Sequence, residues 1–258
     1  MHDLNMLFRE RINDSQKEKM TFDHLNTVLE KTSKTIPFEN LSIIEGRAEK
    51  ITKENLINKI LDRREGGLCY ELNPIMYLFL KENGFHPSLV LGNVYDEEKQ
   101  QWSATGKTHV ANLINYHEEI YLIDVGFGGN VPLRPVPLNG KSVVSSNGEF
   151  RIEKENTPYG DYIFYMKLKH KHDDWKIGYT FDSKNPVIRL EELNHIQKII
   201  QEDEESDFNK KVLINILTDQ GSMTLTDHSF TKWVNGEEKK CEIDENQFQK
   251  IKEMYFSL

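Results

Sequence analysis

Cysteine is scarce in this sequence: the chain of 258 residues contains two, Cys69 and Cys241. Two distant cysteines without a CxxC spacing exclude a disulfide-rich scaffold and make a structural zinc site unexpected. No apolar run approaches the ~20 residues of a membrane-spanning helix, and the N-terminus has neither the basic start nor the apolar core of a signal peptide. These absences favour a cytoplasmic, reduced protein without a membrane partner, whose thiols are free to react.

The sequence also has fewer basic than acidic residues. The chain has 33 Lys and Arg against 42 Asp and Glu, which gives a formal net charge of −9 at pH 7. Nucleic acid is therefore not expected as a partner, because binding it requires cations that displace its counterions. The composition, 37% hydrophobic and 29% charged, is otherwise that of an ordinary globular protein, long enough for one large domain or several smaller ones.

The spacing of apolar residues changes along the chain. Up to about residue 85 it is helical, with helix starts expected at Thr21 and Thr52. From about residue 88 it alternates as in β-strands, and the acidic run 202–205 is interpreted as a solvated loop. The domain boundaries expected from these changes are 1–86 for a helical domain, 87–195 for an antiparallel β-barrel and 196–258 for a third, mixed domain.

One stretch, Gly66-Gly67-Leu68-Cys69, runs directly into an apolar helical segment. The two glycines allow a sharp turn and a close approach of another molecule to the backbone. A cysteine at a helix start lies near unpaired N–H groups, whose partial positive charge favours the nucleophilic thiolate. Pro74 removes one N–H early in this helix and predicts an irregular beginning. Taken alone, a buried and inert thiol behind a glycine turn is the more common meaning of such a cysteine.

A second stretch predicts a β-hairpin that turns at residues 116–119. With Asn115 opposite Ile120, His109 and Asp124 share one face that is otherwise apolar, a diagonal step apart. Either side chain alone is costly to bury, so the two are expected to pair, and a purely structural pair is the plain alternative. Joined to Cys69, they supply a nucleophile, a base and an orienting group, as in papain-like or transglutaminase-like enzymes.

A glycine-rich turn, Gly126-Phe127-Gly128-Gly129, follows Asp124 almost directly. Such a turn presents backbone N–H groups that bind phosphate, although a tight turn alone would explain the glycines. Because it adjoins the predicted triad, a phosphate-bearing cosubstrate could deliver its reactive end to Cys69. The His and Asp residues at 170–174 fit no tight ligand set and are interpreted as a polar turn, so no metal is expected.

Four segments together resemble arylamine N-acetyltransferases in their order and spacing. They are Ile36-Pro37-Phe38-Glu39-Asn40-Leu41, Gly66-Gly67-Leu68-Cys69-Tyr70-Glu71-Leu72-Asn73, Thr108-His109-Val110 and Asp124-Val125-Gly126-Phe127-Gly128-Gly129. The resemblance extends to about residue 200 and is weak beyond it. One departure is Glu65, directly before the two glycines, where the family usually has Arg.

The resemblance implies an α+β protein with an N-terminal helical bundle, a central antiparallel β-barrel and a C-terminal α/β lid around a papain/transglutaminase-like Cys-His-Asp core. It implies acetyl transfer from acetyl-CoA, by a ping-pong route through an acetyl-cysteine, to aromatic amines or hydrazines, as in xenobiotic metabolism. Carried onto this chain, the catalytic residues are Cys69, His109 and Asp124. Gly126, Phe127, Gly128 and Gly129 would lie near the CoA pyrophosphate, and Phe38 and Phe127 would wall the acceptor pocket.

Two alternatives stay open from the sequence. A transglutaminase-like thiol hydrolase or amidase would use the same three residues with water as the acceptor and without CoA. A non-catalytic CoA-binding protein would carry a vestigial site, against which the intact Cys, His and Asp argue. The sequence does not define the physiological amine, the acyl-chain preference, the role of the C-terminal segment in CoA binding or the oligomeric state, for which a homodimer is one option.

Overall fold

The computed structural model describes residues 3–16 and 19–258. The helices are α1 (Leu4–Arg11), α2 (Leu25–Thr35), α3 (Leu41–Ile44), α4 (Lys53–Leu56), α5 (Cys69–Glu82), α6 (Leu193–Glu202) and α7 (Glu245–Ile251). The strands are β1 (Phe38–Glu39), β2 (Pro87–Asp96), β3 (Gln101–Trp102), β4 (His109–Tyr116), β5 (Glu119–Ile123), β6 (Val136–Pro137), β7 (Val143–Ser145), β8 (Gly148–Lys154), β9 (Tyr162–Leu168), β10 (Lys176–Phe181), β11 (Ile214–Thr218), β12 (Gly221–Leu225), β13 (Ser229–Val234) and β14 (Glu237–Glu242). Within the described ranges, no helix has the length and apolar character that crossing a bilayer requires.

The helical part of the molecule is organised around α5. Its apolar residues share one core with those of α1, α2 and α4, and the rings of Phe8 and Phe79 stack with centroids 4.2 Å apart. A π-helical turn, Ile57–Asp62, continues α4 toward the glycines before α5. The N-terminal helical bundle expected from the spacing of apolar residues is therefore present.

The two helix starts predicted at threonines differ in outcome. Thr52 caps α4 as predicted, because its side chain accepts the N–H of Asn55 at 3.2 Å. The predicted cap at Thr21 is wrong: α2 begins later, at Leu25. Thr21 instead accepts the N–H of His24 at 3.3 Å, within the turn that precedes the helix. The hydroxyl stabilises a local turn, which competes with a helix start for the same sequence pattern.

The strands that follow α5 form one antiparallel sheet, ordered β6-β5-β4-β2-β10-β9-β8-β7, with β3 paired to β2. This sheet curls into a nearly closed barrel filled by a second apolar core. The other face of β4 packs on α5, since Val110 and Ile114 belong to the helical core. The alternation of side chains along β4 therefore separates the two cores and places His109 on the barrel side.

The β4–β5 hairpin has the predicted register. Asn115 pairs with Ile120, and the chain turns through His117 and Glu118, whose φ angles are 46° and 64°. Two successive residues with positive φ make the tight turn whose twist matches that of paired strands. Because β5 ends at Ile123, the carboxylate predicted for the site lies immediately beyond the strand.

The C-terminal part is a five-stranded antiparallel sheet, ordered β1-β11-β12-β13-β14, which shares a small core with α7. Its first strand comes from the N-terminal part of the chain: Phe38 pairs with Asn215 and Glu39 with Ile214. The sequence does not predict β14, because its exposed, largely charged residues show no apolar alternation. The protein thus has the expected α+β architecture, while the domain boundaries at 86 and 195 stay a prediction.

Candidate active site

Cys69 is the first residue of α5, as the sequence predicts. Gly67 allows the helix to begin here, since a Cβ at this position would lie 2.8 Å from the Glu71 carboxylate. Glu71 in turn accepts the N–H of Leu68 at 3.0 Å and so caps the first turn. The irregular start expected from Pro74 is not found, because the first hydrogen bonds of α5 form before that residue and the helix continues to Glu82.

Two backbone N–H groups at the start of α5 are available to a ligand. The N–H groups of Glu71 and Leu72 both donate to the Leu68 carbonyl, at 2.9 Å each. Those of Cys69 and Tyr70 have no acceptor among the residues that the structure describes. They lie beside the sulfur, where donors are needed to stabilise a negatively charged oxygen formed during attack on a carbonyl.

His109 and Asp124 are buried and joined by a hydrogen bond of 2.8 Å between Nε2 and Oδ2. Burial of His109 disfavours its charged form, but the Asp124 carboxylate outweighs burial and raises the pKa of His109 above its ordinary value. Burial alone would raise the pKa of Asp124, yet the charge and hydrogen bond of His109 lower it. The pair therefore favours an imidazolium and a carboxylate. Interaction with Cys69 also raises the pKa of His109, and Nδ1 is the ring nitrogen left for the sulfur.

The Asp124 carboxylate has three further donors, and the sequence assigned no role to two of them, Tyr179 and Asn73. The Tyr179 hydroxyl donates to Oδ2 at 2.8 Å, while the Asn73 amide and the Gly126 N–H each donate to Oδ1 at 2.8 Å. The Tyr179 ring also lies against the His109 ring, with centroids 4.3 Å apart. Burial and the Asp124 charge hold the pKa of Tyr179 well above its ordinary value, so its hydroxyl remains a donor.

These two additional residues differ in whether the sequence could have revealed them. Asn73 follows Cys69 by one helical turn, the spacing that puts both side chains on one face of α5, so a signal existed. Its amide also donates to the Val110 carbonyl at 2.7 Å, which ties the helix to β4. Tyr179 lies on β10, far along the chain from Asp124, and reaches the site only because β10 pairs with β2. No local pattern indicates that contact.

A cavity of about 240 Å³ opens beside Cys69 and His109. Three phenylalanines border it, Phe38, Phe127 and Phe208, and the rings of Phe38 and Phe208 meet edge to face with centroids 5.7 Å apart. The structure thus brings both predicted wall residues to the cavity and adds Phe208. Across the described ranges, no group of three or more His, Cys, Asp and Glu side chains is arranged to hold a metal ion.

The residues of the predicted glycine-rich turn occupy different environments. Gly126 borders the cavity, and a Cβ there would lie 2.7 Å from the Cα of Cys69. Gly128 has a φ of +56° and lies behind Phe38, whose ring would be 3.4 Å from an added Cβ. Gly129 packs toward β11. Close packing accounts for Gly126 and the positive φ for Gly128, and contact of the turn with a CoA pyrophosphate stays a prediction.

A buried cluster of charges supports the turn before Cys69. The Lys59 ammonium lies 2.7 Å from Glu71 and 3.6 Å from Glu39, and all three side chains are buried. Burial raises the pKa of Glu39, whereas the two carboxylates raise that of Lys59 against the effect of its burial. At the position that departs from the family pattern, Glu65 pairs with Arg47 at 2.9 Å nearer the surface. Lys59 is thus the cation beneath the cysteine turn.

Comparison with known proteins agrees with this geometry. A family model described as N-acetyltransferase matches residues 21–258. An uncharacterised acetyltransferase of Bacillus subtilis, YvcN, is 37% identical over 242 residues, with 93% of each chain covered. Among solved structures, arylamine N-acetyltransferase C of Bacillus anthracis has a TM-score of 0.94 at 36% identity, covering 100% of this chain and 99% of that one.

A further solved structure shows a difference at the site. An arylamine N-acetyltransferase of Bacillus cereus has a TM-score of 0.94 at 41% identity, with 100% of this chain and 99% of that one covered. That enzyme is described as having a Cys-His-Glu catalytic triad. In this chain the carboxylate bonded to His109 belongs to Asp124. The fold, the match over most of the chain and these relatives together show that this acetyltransferase belongs to the arylamine N-acetyltransferase family.

Proposed function

We propose that the protein transfers an acetyl group from acetyl-CoA to the nitrogen of an aromatic amine or hydrazine, through an acetyl-cysteine on Cys69. One observation carries the proposal: Cys69 stands at a helix start, beside the buried His109–Asp124 pair, and opens into a cavity with aromatic walls. Membership of the family supports the acetyltransferase class. The catalytic roles of these three residues, the donor, the ping-pong order and the acceptor class are part of the proposal.

The first half-reaction uses Cys69 as a thiolate and His109 as an imidazolium. The sulfur attacks the thioester carbonyl carbon, and the N–H groups of Cys69 and Tyr70 donate to the oxygen that becomes negative. The bond between the carbonyl carbon and the sulfur of CoA then breaks, and His109 gives its Nδ1 proton to the leaving thiolate. The products are CoA and acetyl-Cys69, with a neutral imidazole held by Asp124.

The second half-reaction reverses the proton transfer. The amine nitrogen attacks the acetyl carbon, His109 accepts a proton from that nitrogen, and the bond from carbon to the Cys69 sulfur breaks. Aromatic amines suit this step because they are unprotonated near neutral pH and offer a lone pair. The volume of about 240 Å³ accommodates the acetylated end of a thioester or a small aromatic ring, used in turn.

The substrate contacts follow from the borders of the cavity. We place the ring of the acceptor between Phe38 and Phe127, with Phe208 closing the same aromatic wall. The backbone of Gly126-Phe127-Gly128-Gly129 is assigned to the pyrophosphate end of CoA, because a glycine-rich turn directs N–H groups outward.

The decisive experiment is intact mass spectrometry of the protein mixed with acetyl-CoA and no acceptor. We expect a gain of one acetyl group, mapped to Cys69 by peptide analysis and lost when an arylamine is added. Cys69→Ala is the matched variant and should gain no acetyl group. An adduct on wild type that water removes as fast as an amine would instead indicate a thiol hydrolase. Undiminished acetyl-CoA without an adduct would contradict the proposed donor.

A further inference from the structure

We propose that the segment of residues 203–208, here called the acidic wall, selects acceptors by charge. In this inference, which rests on the proposed function, neutral and cationic arylamines are preferred and arylamines that carry a carboxylate are disfavoured. Residues 205–208 of the segment border the cavity beside Cys69, and they include the carboxylates of Glu205 and Asp207. Glu205, the last residue of the acidic run 202–205 that was expected to be a solvated loop, therefore borders the site.

Hydrogen bonds from Ser206 and to Phe208 hold the acidic wall in place. The Ser206 hydroxyl is buried and donates to the Ile200 carbonyl at 2.7 Å. The buried Asn40 amide donates to the Phe208 carbonyl at 2.8 Å, and its oxygen accepts the Leu213 N–H at 2.8 Å. Since Asn40 adjoins β1, these bonds fasten the segment to the strand that carries Phe38. The carboxylates at 205 and 207 are consequently presented to the cavity by a fixed backbone.

Apart from the His109 imidazolium, which is neutral in the proposed acetyl-enzyme, the charge around the cavity is negative. Asp96, Glu205 and Asp207 border it, and no Lys or Arg is among the described residues that do so. Asp96 is partly compensated, because it accepts the N–H groups of Glu98 and Lys99 at 3.0 Å each. In the described ranges, neither Glu205 nor Asp207 has an ion-pair partner within 4.0 Å. Their negative charge therefore acts on whatever enters the cavity.

This charge affects the far end of the acceptor and leaves its reacting nitrogen unaltered. An arylamine approaches with an uncharged amine, so a carboxylate on its ring is repelled by the wall and an ammonium is attracted. Both wall carboxylates are exposed, and solvent and salt screen their effect. We therefore expect each to change the rate constant for a charged acceptor by about threefold at low ionic strength, and by less at 1 M salt.

The experiment measures the discharge of isolated acetyl-enzyme, which separates the acceptor from the anionic donor. The probes are 4-aminobenzoate, 4-aminobenzamide and 4-amino-N-[2-(dimethylamino)ethyl]benzamide, which are anionic, neutral and cationic around the same ring. In Glu205→Gln/Asp207→Asn, the second-order rate constant should rise for the anion, by up to about tenfold, and fall for the cation. It should change little for the neutral amide. Ratios of variant to wild type cancel the intrinsic reactivity of each amine.

Glu204→Gln is the matched control, because Glu204 belongs to the same segment, is exposed and does not border the cavity. It should leave all three rate constants unchanged. A double variant that discharges the anion no faster than wild type, or equal effects of the control, would overturn charge selection. Failure of the proposed function would look different, since wild type would then form no acetyl-enzyme or fail to acetylate the neutral amide.

Discussion

The Asp124 carboxylate accepts hydrogen bonds from His109, Tyr179, Asn73 and the Gly126 N–H. We expect Asp124→Asn to lower kcat/KM by about 10³- to 10⁴-fold, because an amide neither stabilises the imidazolium nor accepts from all of these donors. Steady-state rates at varied acetyl-CoA and a saturating concentration of the acceptor would measure the loss. Asp124→Glu is the matched control, since it keeps the charge and should retain more activity. Asn and Glu variants of equal activity would contradict an electrostatic role for this carboxylate.

The Tyr179 hydroxyl is the second donor to Asp124 Oδ2. Tyr179→Phe should lower the free energy of unfolding by about 1.5 to 3 kcal/mol, the range for a hydrogen bond to a charged group. Urea denaturation at pH 7 would measure this. Tyr162→Phe is a suitable control, because the Tyr162 hydroxyl has no hydrogen-bond partner in the described structure and should cost less than about 0.5 kcal/mol. Equal losses of unfolding free energy in the two variants would show that the hydrogen bond to Asp124 does not contribute to stability.

Among elements, the π-helical turn after α4, helix α5 and strand β1 meet at the ammonium of Lys59. Lys59→Met should destabilise the protein by about 3 to 5 kcal/mol, because it leaves two buried carboxylates without their cation. Burial already raises the pKa of Glu39, and loss of Lys59 would raise it further. When folding raises the pKa of a carboxyl, the folded protein becomes less stable as the pH rises, because the group must ionise while buried. The loss of stability in Lys59→Met should therefore be smaller at pH 5 than at pH 8.

Urea denaturation of Lys59→Met at the two pH values would test this dependence. Lys198→Met serves as its control, because Lys198 is exposed on α6 and pairs loosely with Glu202 at 3.8 Å. The control should change the free energy of unfolding by less than about 0.5 kcal/mol at either pH. A defect in Lys59→Met that is larger at pH 5 than at pH 8 would contradict the proposed coupling to buried carboxylates.

The sequence predicts the helices and strands whose apolar residues recur at a regular spacing. The hairpin register follows from alternation on β4 and β5 and places His109 and Asp124 correctly on one face. The start of α5 is predicted by the two glycines, because they allow the sharp turn that precedes the helix. Strand β1 is not predicted, since its two residues form a strand by pairing with β11 across most of the chain. β14 is missed because an exposed edge strand has no buried face to impose alternation.

For the whole molecule, stability should decline on both sides of neutral pH. The pKa of Asp124 is lowered in the fold, as is that of Asp14, so their contributions are lost as the pH falls through the lowered values. The pKa of His109 is raised, so its contribution is full below its ordinary value of 6.5 and is lost as the pH rises through the raised one. Urea midpoints between about pH 2 and pH 10 would measure the profile. His109→Gln should lose less stability than wild type as the pH rises above 6.5, because the variant lacks the group that titrates there. An unchanged loss at alkaline pH would contradict the raised pKa of His109.

The sequence also predicts the fold class at the scale of the chain, because the change from helical to alternating spacing marks the boundary between bundle and barrel. It does not predict the side of the cavity that residues 205–208 form. Phe208 and Glu205 come from a segment whose composition is typical of a solvated loop, and the Asn40 amide holds Phe208 at the cavity through its carbonyl. Burial and charge at a site assembled from distant segments are properties of the tertiary fold, which local composition does not encode.

The pairing of β1 with β11 also has a consequence for the order of events during biosynthesis. The ribosome adds roughly 5 to 20 residues per second, and domains fold as they emerge. Cys69 and Phe208 are 139 positions apart (208 − 69), so the thiol leaves the ribosome roughly 7 to 28 s before the wall that encloses it. Over that interval Cys69 of a nascent chain is not enclosed by its finished cavity. Thiol-reactive reagents present during translation should therefore modify Cys69 more readily than the same reagents added to the completed protein.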